Sequence, residues 1–306
     1  MNHFVLLYST IFTLLLITSC DKDEDYIDLP PEPNPELVDK GDEVGIKISK
    51  YMDQASPGVS VQGAACYGDY LFQFENHNKN VFIYNLKTKK FVEKVSLKAI
   101  SNNHCNNASF SRFFYVEGDE FPLLYVSGGV VSTYNHAQVY RIVRNEDGFI
   151  IEKVQEIEFP KASTENKMHS TQVVMADDYM YVLTKGSNQT FVSKFEIPDY
   201  NLSSVLLTDE DIIEQYEVDD YIHKQGAVIK DGLMYVMYGV PAWGDTNYLR
   251  VLDLNKYEDS FIINISKLGF KQEFEGLAFY NGTLIAATNN NAGIFVFHFK
   301  NPIILK

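Results

Sequence analysis

The sequence predicts an all-β fold, a β-propeller of about five four-stranded blades, and three observations lead to it. Similar segments recur along the chain after residue 44, with starts 44, 65, 54 and 50 residues apart. Most contain two apolar runs separated by a tight-turn pair such as Asp231-Gly232 or Asn281-Gly282, a strong hairpin signal. The chain also holds 20 Tyr and 21 Phe, residues that favour pleated strands.

Each repeat unit contains a hairpin, then a polar loop and a third strand. A fourth, more polar strand follows in the first four units, and the second unit carries an insertion inside its hairpin. A four-stranded unit that repeats every 40–50 residues is typical of propeller blades. The units begin at Ser60, His104, His169, His223 and Glu273.

The fifth unit lacks an obvious fourth strand. We expect residues 45–52, which precede the first unit, to supply that strand and close the ring. Six or seven blades would need strands that the sequence does not provide. Residues 44–306 are therefore predicted to form one propeller domain.

The first 19 residues are predicted to be a signal peptide, and residues 20–43 an acidic, Pro-rich tether. An apolar run ends in Ile17-Thr18-Ser19-Cys20, which resembles the bacterial lipobox. That resemblance implies a lipoprotein acylated at Cys20 and anchored to the outer membrane of the cell envelope. The acidic residues after Cys20 resemble a surface-export signal. The lack of Lys or Arg before the apolar run departs from the usual export signal, and an ordinary signal peptide is the alternative.

The openings of the units carry a second resemblance. Gln62-Gly63-Ala64 in the first unit and His104-Cys105-Asn106 in the second are similar to openings in small bacterial and phage-associated propellers of largely unassigned function. This resemblance implies the fold and leaves the activity open.

Two polar positions open every unit, and residues two apart in a strand share a side. We therefore expect two stacked polar rings around the propeller axis, at the end where the chain enters the innermost strands, here called the front face. The outer ring begins the units (Ser60, His104, His169, His223 and Glu273), and the inner ring lies two residues later (Gln62, Asn106, Thr171, Gln225 and Glu275).

Three interpretations of the rings stay open at this point. The polar groups could satisfy one another and close the propeller, as buried polar groups generally do. They could read the hydroxyl groups of a ligand. They could also form a metal or catalytic centre, in which His104, His169 and His223 would hold a divalent metal.

The loops between the second and third strands lie on the same face and contribute rim candidates. The only Trp of the chain is in one of them, and an aromatic ring with Asn and Asp nearby suits a pyranose ring. A Trp that packs within its loop and ordinary turn-forming Asn are the alternative. The rim candidates are His77, Tyr134, His136, Trp243 and Asp245.

These features favour a lipid-anchored envelope propeller that binds a carbohydrate or similar polar ligand on the front face. One alternative is a glycan-cleaving hydrolase or lyase with an axial His/Glu site, and another is a protein-interaction scaffold. The chain lacks Gly-x-Ser-x-Gly, His-Glu-x-x-His and phosphate-loop motifs, so whether it is an enzyme stays open. The net charge of −15 excludes nucleic acid as a partner.

The two cysteines of the predicted propeller are expected to be free thiols. Cys105 is the second residue of its unit and Cys66 the seventh, which places them at opposite ends of their inner strands. A disulfide needs Cα atoms within about 7 Å of each other.

Overall fold

The computed structural model is a five-bladed β-propeller, which confirms the predicted fold class. Each blade is an antiparallel four-stranded sheet, and blade two gains a fifth strand that pairs in parallel. The predicted signal peptide and Cys20 lie outside the described residues. The structure describes residues 39–55, 59–76, 80–97, 104–128, 135–159, 171–185, 189–219, 223–256, 260–289 and 292–301.

The first four blades follow one another along the chain, and the first strand of each repeat unit is the innermost. Blade one contains β2 (Val61–Tyr67), β3 (Tyr70–Glu75), β4 (Asn80–Asn85) and β5 (Lys90–Ser96). Blade two contains β6 (Ala108–Phe110), β7 (Leu124–Gly128), β8 (His136–Asn145) and β9 (Gly148–Glu158), with β13 (Ser204–Leu206) added beside β9. Blade three contains β10 (Gln172–Ala176), β11 (Tyr179–Lys185), β12 (Gln189–Glu196) and β14 (Glu214–Asp219). Blade four contains β15 (Lys224–Lys230), β16 (Leu233–Tyr238), β17 (Tyr248–Asp253) and β18 (Ser260–Asn264).

Blade five closes the ring with strands from two distant parts of the chain. Its inner three strands are β19 (Phe274–Tyr280), β20 (Thr283–Thr288) and β21 (Ile294–Phe299). The fourth is β1 (Ile46–Met52), which pairs antiparallel with β21 as the sequence predicts. The described helices are short: α1 (Gly41–Val44) and 3-10 turns at Asp209–Asp211, Pro241–Trp243 and Ile265–Leu268. None of these helices has the length and apolar character needed to cross a bilayer.

The hydrophobic core is divided among the junctions between blades. Each of the five junctions holds one cluster of buried apolar side chains, so every blade packs on both faces. The hairpins between first and second strands lie at the other end of the molecule, here called the back face. Their turns have the left-handed backbone that the sequence pairs predict, as at Asp231 (φ 52°) and Asn281 (φ 47°).

Amide side chains close the axis beneath the front face. Asn107 Nδ2 donates to the carbonyl of Val173 (2.9 Å), and the backbone N–H of Ala227 donates to Asn107 Oδ1 (3.0 Å). One buried side chain therefore joins blades two, three and four. Gln172, at the equivalent position of unit three, donates through Nε2 to the carbonyl of Gln225 (2.9 Å).

The other three units have glycine at this position, because their inner strands approach too closely for a side chain. A Cβ atom built on Gly276 would lie 2.5 Å from the backbone nitrogen and Cβ of Ala64. A Cβ on Gly63 would lie 2.7 Å from the backbone of Asn107. The side chains of Asn107 and Gln172 and the three closely packed glycine positions thus line the propeller axis beneath the front face.

The two cysteines of the propeller lie in repeat units one and two. Cys66 and Cys105 are free thiols, as the repeat register predicts.

The residues just before β1, which the sequence assigns to the tether, contact blade four: Asp39 pairs with Lys267, and the N–H of Lys40 donates to the carbonyl of Ile262 (2.9 Å). The described fold therefore includes residues 39–43.

Candidate functional site

A shared irregularity positions the ring residues in three blades. The pairing of first and second strands shifts register by one residue within the opening of units one, four and five. A β-bulge of this kind bends the strand and redirects its side chains. It lies between Val61 and Ala64, between Lys224 and Ala227, and between Phe274 and Gly276.

The centre of the candidate site is a pair of carboxyl groups from blade five. Glu275 is 1% exposed, and its carboxyl group lies beside that of Glu273. Asn289 Nδ2 lies between them, 3.1 Å from Glu273 Oε2 and 3.3 Å from Glu275 Oε1. Gln62 of blade one donates to Glu275 Oε1 (3.0 Å), and Gln225 of blade four donates to Glu273 Oε1 (3.0 Å). The pair therefore connects three adjacent blades.

Two carboxyl groups that are partly or fully buried and share one donor, Asn289 Nδ2, cannot both be ionised at low cost. Burial raises the pKa of Glu275 well above its usual value, and the negative charge of Glu273 adds to the effect. Burial also raises the pKa of Glu273, while hydrogen bonds from the surrounding side chains act in the opposite direction. Burial and the charge of Glu273 both favour the protonated form of Glu275 over its carboxylate.

Beside this pair, a histidine is held by an aspartate. His223 Nδ1 lies 2.8 Å from Asp245 Oδ2, which also accepts from the backbone N–H of Val240 (2.9 Å). A carboxylate only accepts hydrogen bonds, so Nδ1 of His223 carries the proton that it donates. His223 is close enough to Glu273 to lower the pKa of that carboxyl group. Asp245 therefore fixes the ring next to the carboxyl pair.

Trp243 completes this side of the front face. It ends the 3-10 turn Pro241–Trp243 and remains 46% exposed. Its ring meets the imidazole of His223 edge to face, with centroids 4.8 Å apart. The sequence predicts both Trp243 and Asp245 as rim residues, and the structure places both beside His223.

The two predicted rings differ in burial. The inner-ring residues are all buried: Gln62, Asn106, Thr171, Gln225 and Glu275. The described outer-ring residues, Ser60, His104, His223 and Glu273, are only partly buried. The inner ring thus lies below the surface and joins blades, whereas the outer ring is within reach of a ligand.

The remaining predicted residues are not brought into this cluster by the described contacts. His104 and Asn106 occupy the corresponding positions of blade two, and Thr171 that of blade three. His136, a predicted rim residue, is 4% exposed at the start of β8, and burial lowers its pKa. It belongs to the blade interior. His169, His77 and Tyr134 lie outside the described residues.

The sequence-based selection missed Asn289. This residue directly follows β20, and Asn76 directly follows β3 at the equivalent place in unit one. The N–H of each donates to the carbonyl that opens its unit, Glu273 or Ser60, at 2.9 Å. Recurrence of Asn at this place in the repeat is the signal that could have identified it.

Metal binding by the rings stays a prediction. Among the residues that the structure describes, no group of three or more His, Cys, Asp or Glu side chains is arranged to hold a metal ion. His169, one of the three predicted ligands, is outside that part of the chain.

Comparison with known proteins identifies the fold and no family. No family model matches the chain, and no curated protein sequence matches it. A crystal structure of the Myxococcus xanthus glutaminyl cyclase has a TM-score of 0.52 at 10% sequence identity, over 82% of this chain and 95% of that one. A virginiamycin B lyase from Staphylococcus aureus has a TM-score of 0.44 at 12% identity, over 82% of this chain and 99% of that one. At such identities the first of these likenesses shows the propeller fold alone.

Proposed function

We propose that this propeller binds a carbohydrate or similar polar ligand on its front face. The observation that carries the proposal is the exposed ring of Trp243 packed against His223, which Asp245 holds in place. An aromatic face supports the apolar side of a sugar ring, and fixed polar groups next to it select its hydroxyl groups. The ligand would rest on the Trp243 ring and meet His223 and Glu273 at its edge.

The hydrogen bonds that orient Glu273 and His223 support the same function. A binding site is most selective when its polar groups are already oriented. Here Glu273 accepts from Gln225 and Asn289, and His223 is bound to Asp245, so neither side chain needs to reorganise. The buried Glu275 and Gln62 hold the site together from below.

Replacement of Trp243 by alanine is expected to weaken glycan binding about tenfold, which corresponds to roughly 1.4 kcal/mol. The melting temperature should stay near that of the wild type, because a side chain that is 46% exposed contributes little to the core. Binding is measured on a glycan array and then by calorimetric titration of the hits. Phe114→Ala, which removes a 37% exposed ring from blade two, is the matched control. Unchanged affinity in the Trp243 variant, or equal loss in the control, would refute the proposal.

Glycan cleavage is the second candidate, and the fixed His223–Asp245 pair favours it because an oriented imidazole can act as a general base. The two glutamates do not supply the usual acid–base pair. In glycoside hydrolases the two carboxyl groups flank the scissile bond, whereas Glu273 and Glu275 come from one blade, share the Asn289 Nδ2 donor, and Glu275 is only 1% exposed. Product analysis of the glycans bound in the array distinguishes cleavage from binding.

We propose further that the propeller is held at the cell envelope by a lipid on Cys20, as the lipobox-like Ile17-Thr18-Ser19-Cys20 suggests. The acidic, Pro-rich residues that follow would keep the front face accessible.

Cys20→Ala should abolish labelling by a fatty-acid analogue and release the protein from the membrane fraction. Cys66→Ala is the control, since Cys66 is partly buried within the propeller and burial raises the pKa of its thiol to about 12. Labelling that persists without Cys20 would contradict acylation at that residue.

A further inference from the structure

A groove of about 710 Å³ opens between blades four and five on the back face. Asp231 and Gly282 line it from the two hairpin turns, at the opposite end of the inner strands from the candidate site. Its volume is within the range of small-molecule sites, about 300–1,000 Å³. Its lining combines the aromatic side chains of Tyr235, Phe279 and Phe299 with polar ones, among them Lys230, Asp231 and Asp253.

The repeat allows this junction to be compared with the junction between blades one and two. Tyr235 and Phe279 have ring centroids 5.3 Å apart. Phe72 and Phe110, at the same positions of units one and two, are 5.6 Å apart. The two junctions therefore share the same aromatic pair.

The first junction is filled where the other is open. Phe121, from the insertion of unit two, and Phe149, at the start of β9, lie 5.5 and 5.8 Å from Phe72. Both are buried, at 2% and 7% exposure. Phe72 is accordingly 0% exposed, whereas Tyr235, at the same position of the blade four and five junction, is 8% exposed.

The difference follows from how the ring closes. Phe149 stands at the tip of the β8–β9 hairpin, but in blade five the corresponding strands β21 and β1 are not joined by a hairpin. Phe121 comes from a long insertion, whereas β19 and β20 are joined by a two-residue turn. The open groove is therefore built into blade five.

We propose that this groove is a second binding site, for a neutral carbohydrate. The Tyr235 ring and the part of the Phe279 ring that Lys230 does not cover offer an apolar wall for a sugar ring, and the Lys230 ammonium, 4.8 Å from the Phe279 centroid, can donate to its hydroxyl groups. Asp231 and Asp253 can accept hydrogen bonds from hydroxyl groups. These two carboxylates disfavour a phosphate or sulfate, and the mixture of polar and apolar groups disfavours an acyl chain.

The test uses the Trp243→Ala protein, so that front-face binding does not mask the groove. Its binding to maltohexaose, cellohexaose and xylohexaose is measured by calorimetric titration. Thr283→Trp should fill the groove as Phe121 fills the first junction, and Asp231→Asn should remove one acceptor while keeping a residue that tolerates φ 52°. We expect each change to weaken binding about tenfold.

Asp177→Asn is the matched control, because Asp177 has φ 45° at the same turn position of unit three. If the Thr283→Trp protein does not fold, the oligosaccharide affinity of Asp231→Asn is compared with that of Asp177→Asn, and a loss only in Asp231→Asn supports the groove site. Failure of all three oligosaccharides to bind, or binding that neither groove variant weakens, overturns the groove proposal and leaves the front-face proposal standing. If the Trp243→Ala protein has lost all binding, the result supports the front-face site only and overturns the groove proposal.

Discussion

Replacing Gly276 with alanine is expected to destabilise the propeller by about 3 kcal/mol, the upper part of the range for overpacked sites. The added Cβ would lie 2.5 Å from Ala64, and the neighbouring atoms belong to the backbone and Cβ of that residue, which cannot rotate away. For a chain of this size the melting temperature should fall by about 6–10 °C. Thermal unfolding followed by circular dichroism measures the change.

The control introduces a larger side chain where space exists. Gly68→Asn places its side chain in the turn between β2 and β3, with no atom within 4 Å of the new Cβ and at φ 55°, where Asn is tolerated. Its melting temperature should stay close to that of the wild type. If the two variants melt alike, the inner strands are not packed as tightly as the structure indicates.

Replacing Glu275 with glutamine is expected to change how stability depends on pH. Burial and the charge of Glu273 raise the pKa of Glu275 in the folded state above its usual value of 4.5. The folded state therefore holds a proton that the unfolded state releases. The stability from this group is fully present below about pH 4.5 and is lost as the pH rises through the raised pKa.

Glutamine reproduces the protonated form, since its amide is neutral and can donate a hydrogen bond at every pH. Between pH 5 and pH 8 the wild type should lose several degrees of melting temperature relative to Glu275→Gln. Calorimetric scans at four pH values measure this difference. His136, whose pKa is lowered by burial, also makes stability depend on pH, but both proteins contain it and its effect cancels in the difference. Glu117→Gln removes an exposed carboxylate and should melt in parallel with the wild type. Parallel curves for Glu275→Gln would show that the pair holds no proton.

The blades were predictable because their signals are local. Turn pairs such as Asp231-Gly232 adopt a left-handed backbone that few residues tolerate, and apolar runs on both sides mark the strands. The closing strand β1 could be inferred because the fifth unit was one strand short. The fifth strand of blade two was not predicted, since β13 pairs with a strand of the preceding unit rather than its own.

The candidate site was predictable in position and not in contacts. The repeat register places Glu273, His223 and Gln225 at one end of the inner strands. It does not show that Gln62 reaches Glu275 from the next blade, because distances between blades depend on packing. The axial roles of Asn107 and Gln172 were hidden for the same reason, and their hydrogen bonds run to other blades.

The pairing of β1 with β21 also determines the order in which the molecule can be assembled. Blades one to four each take their four antiparallel strands from one stretch of chain, but blade five pairs residues as far apart as Ile46 and Phe299, which are 253 positions apart in sequence. Closing so long a loop carries a larger entropic penalty than closing a hairpin, and such distant pairing slows folding. Until β21 has been synthesised, β1 lacks the strand with which it pairs, and an unpaired strand edge is one that another chain can extend. We therefore expect closure of blade five to be slow, and the chain to be open to aggregation while that closure is pending.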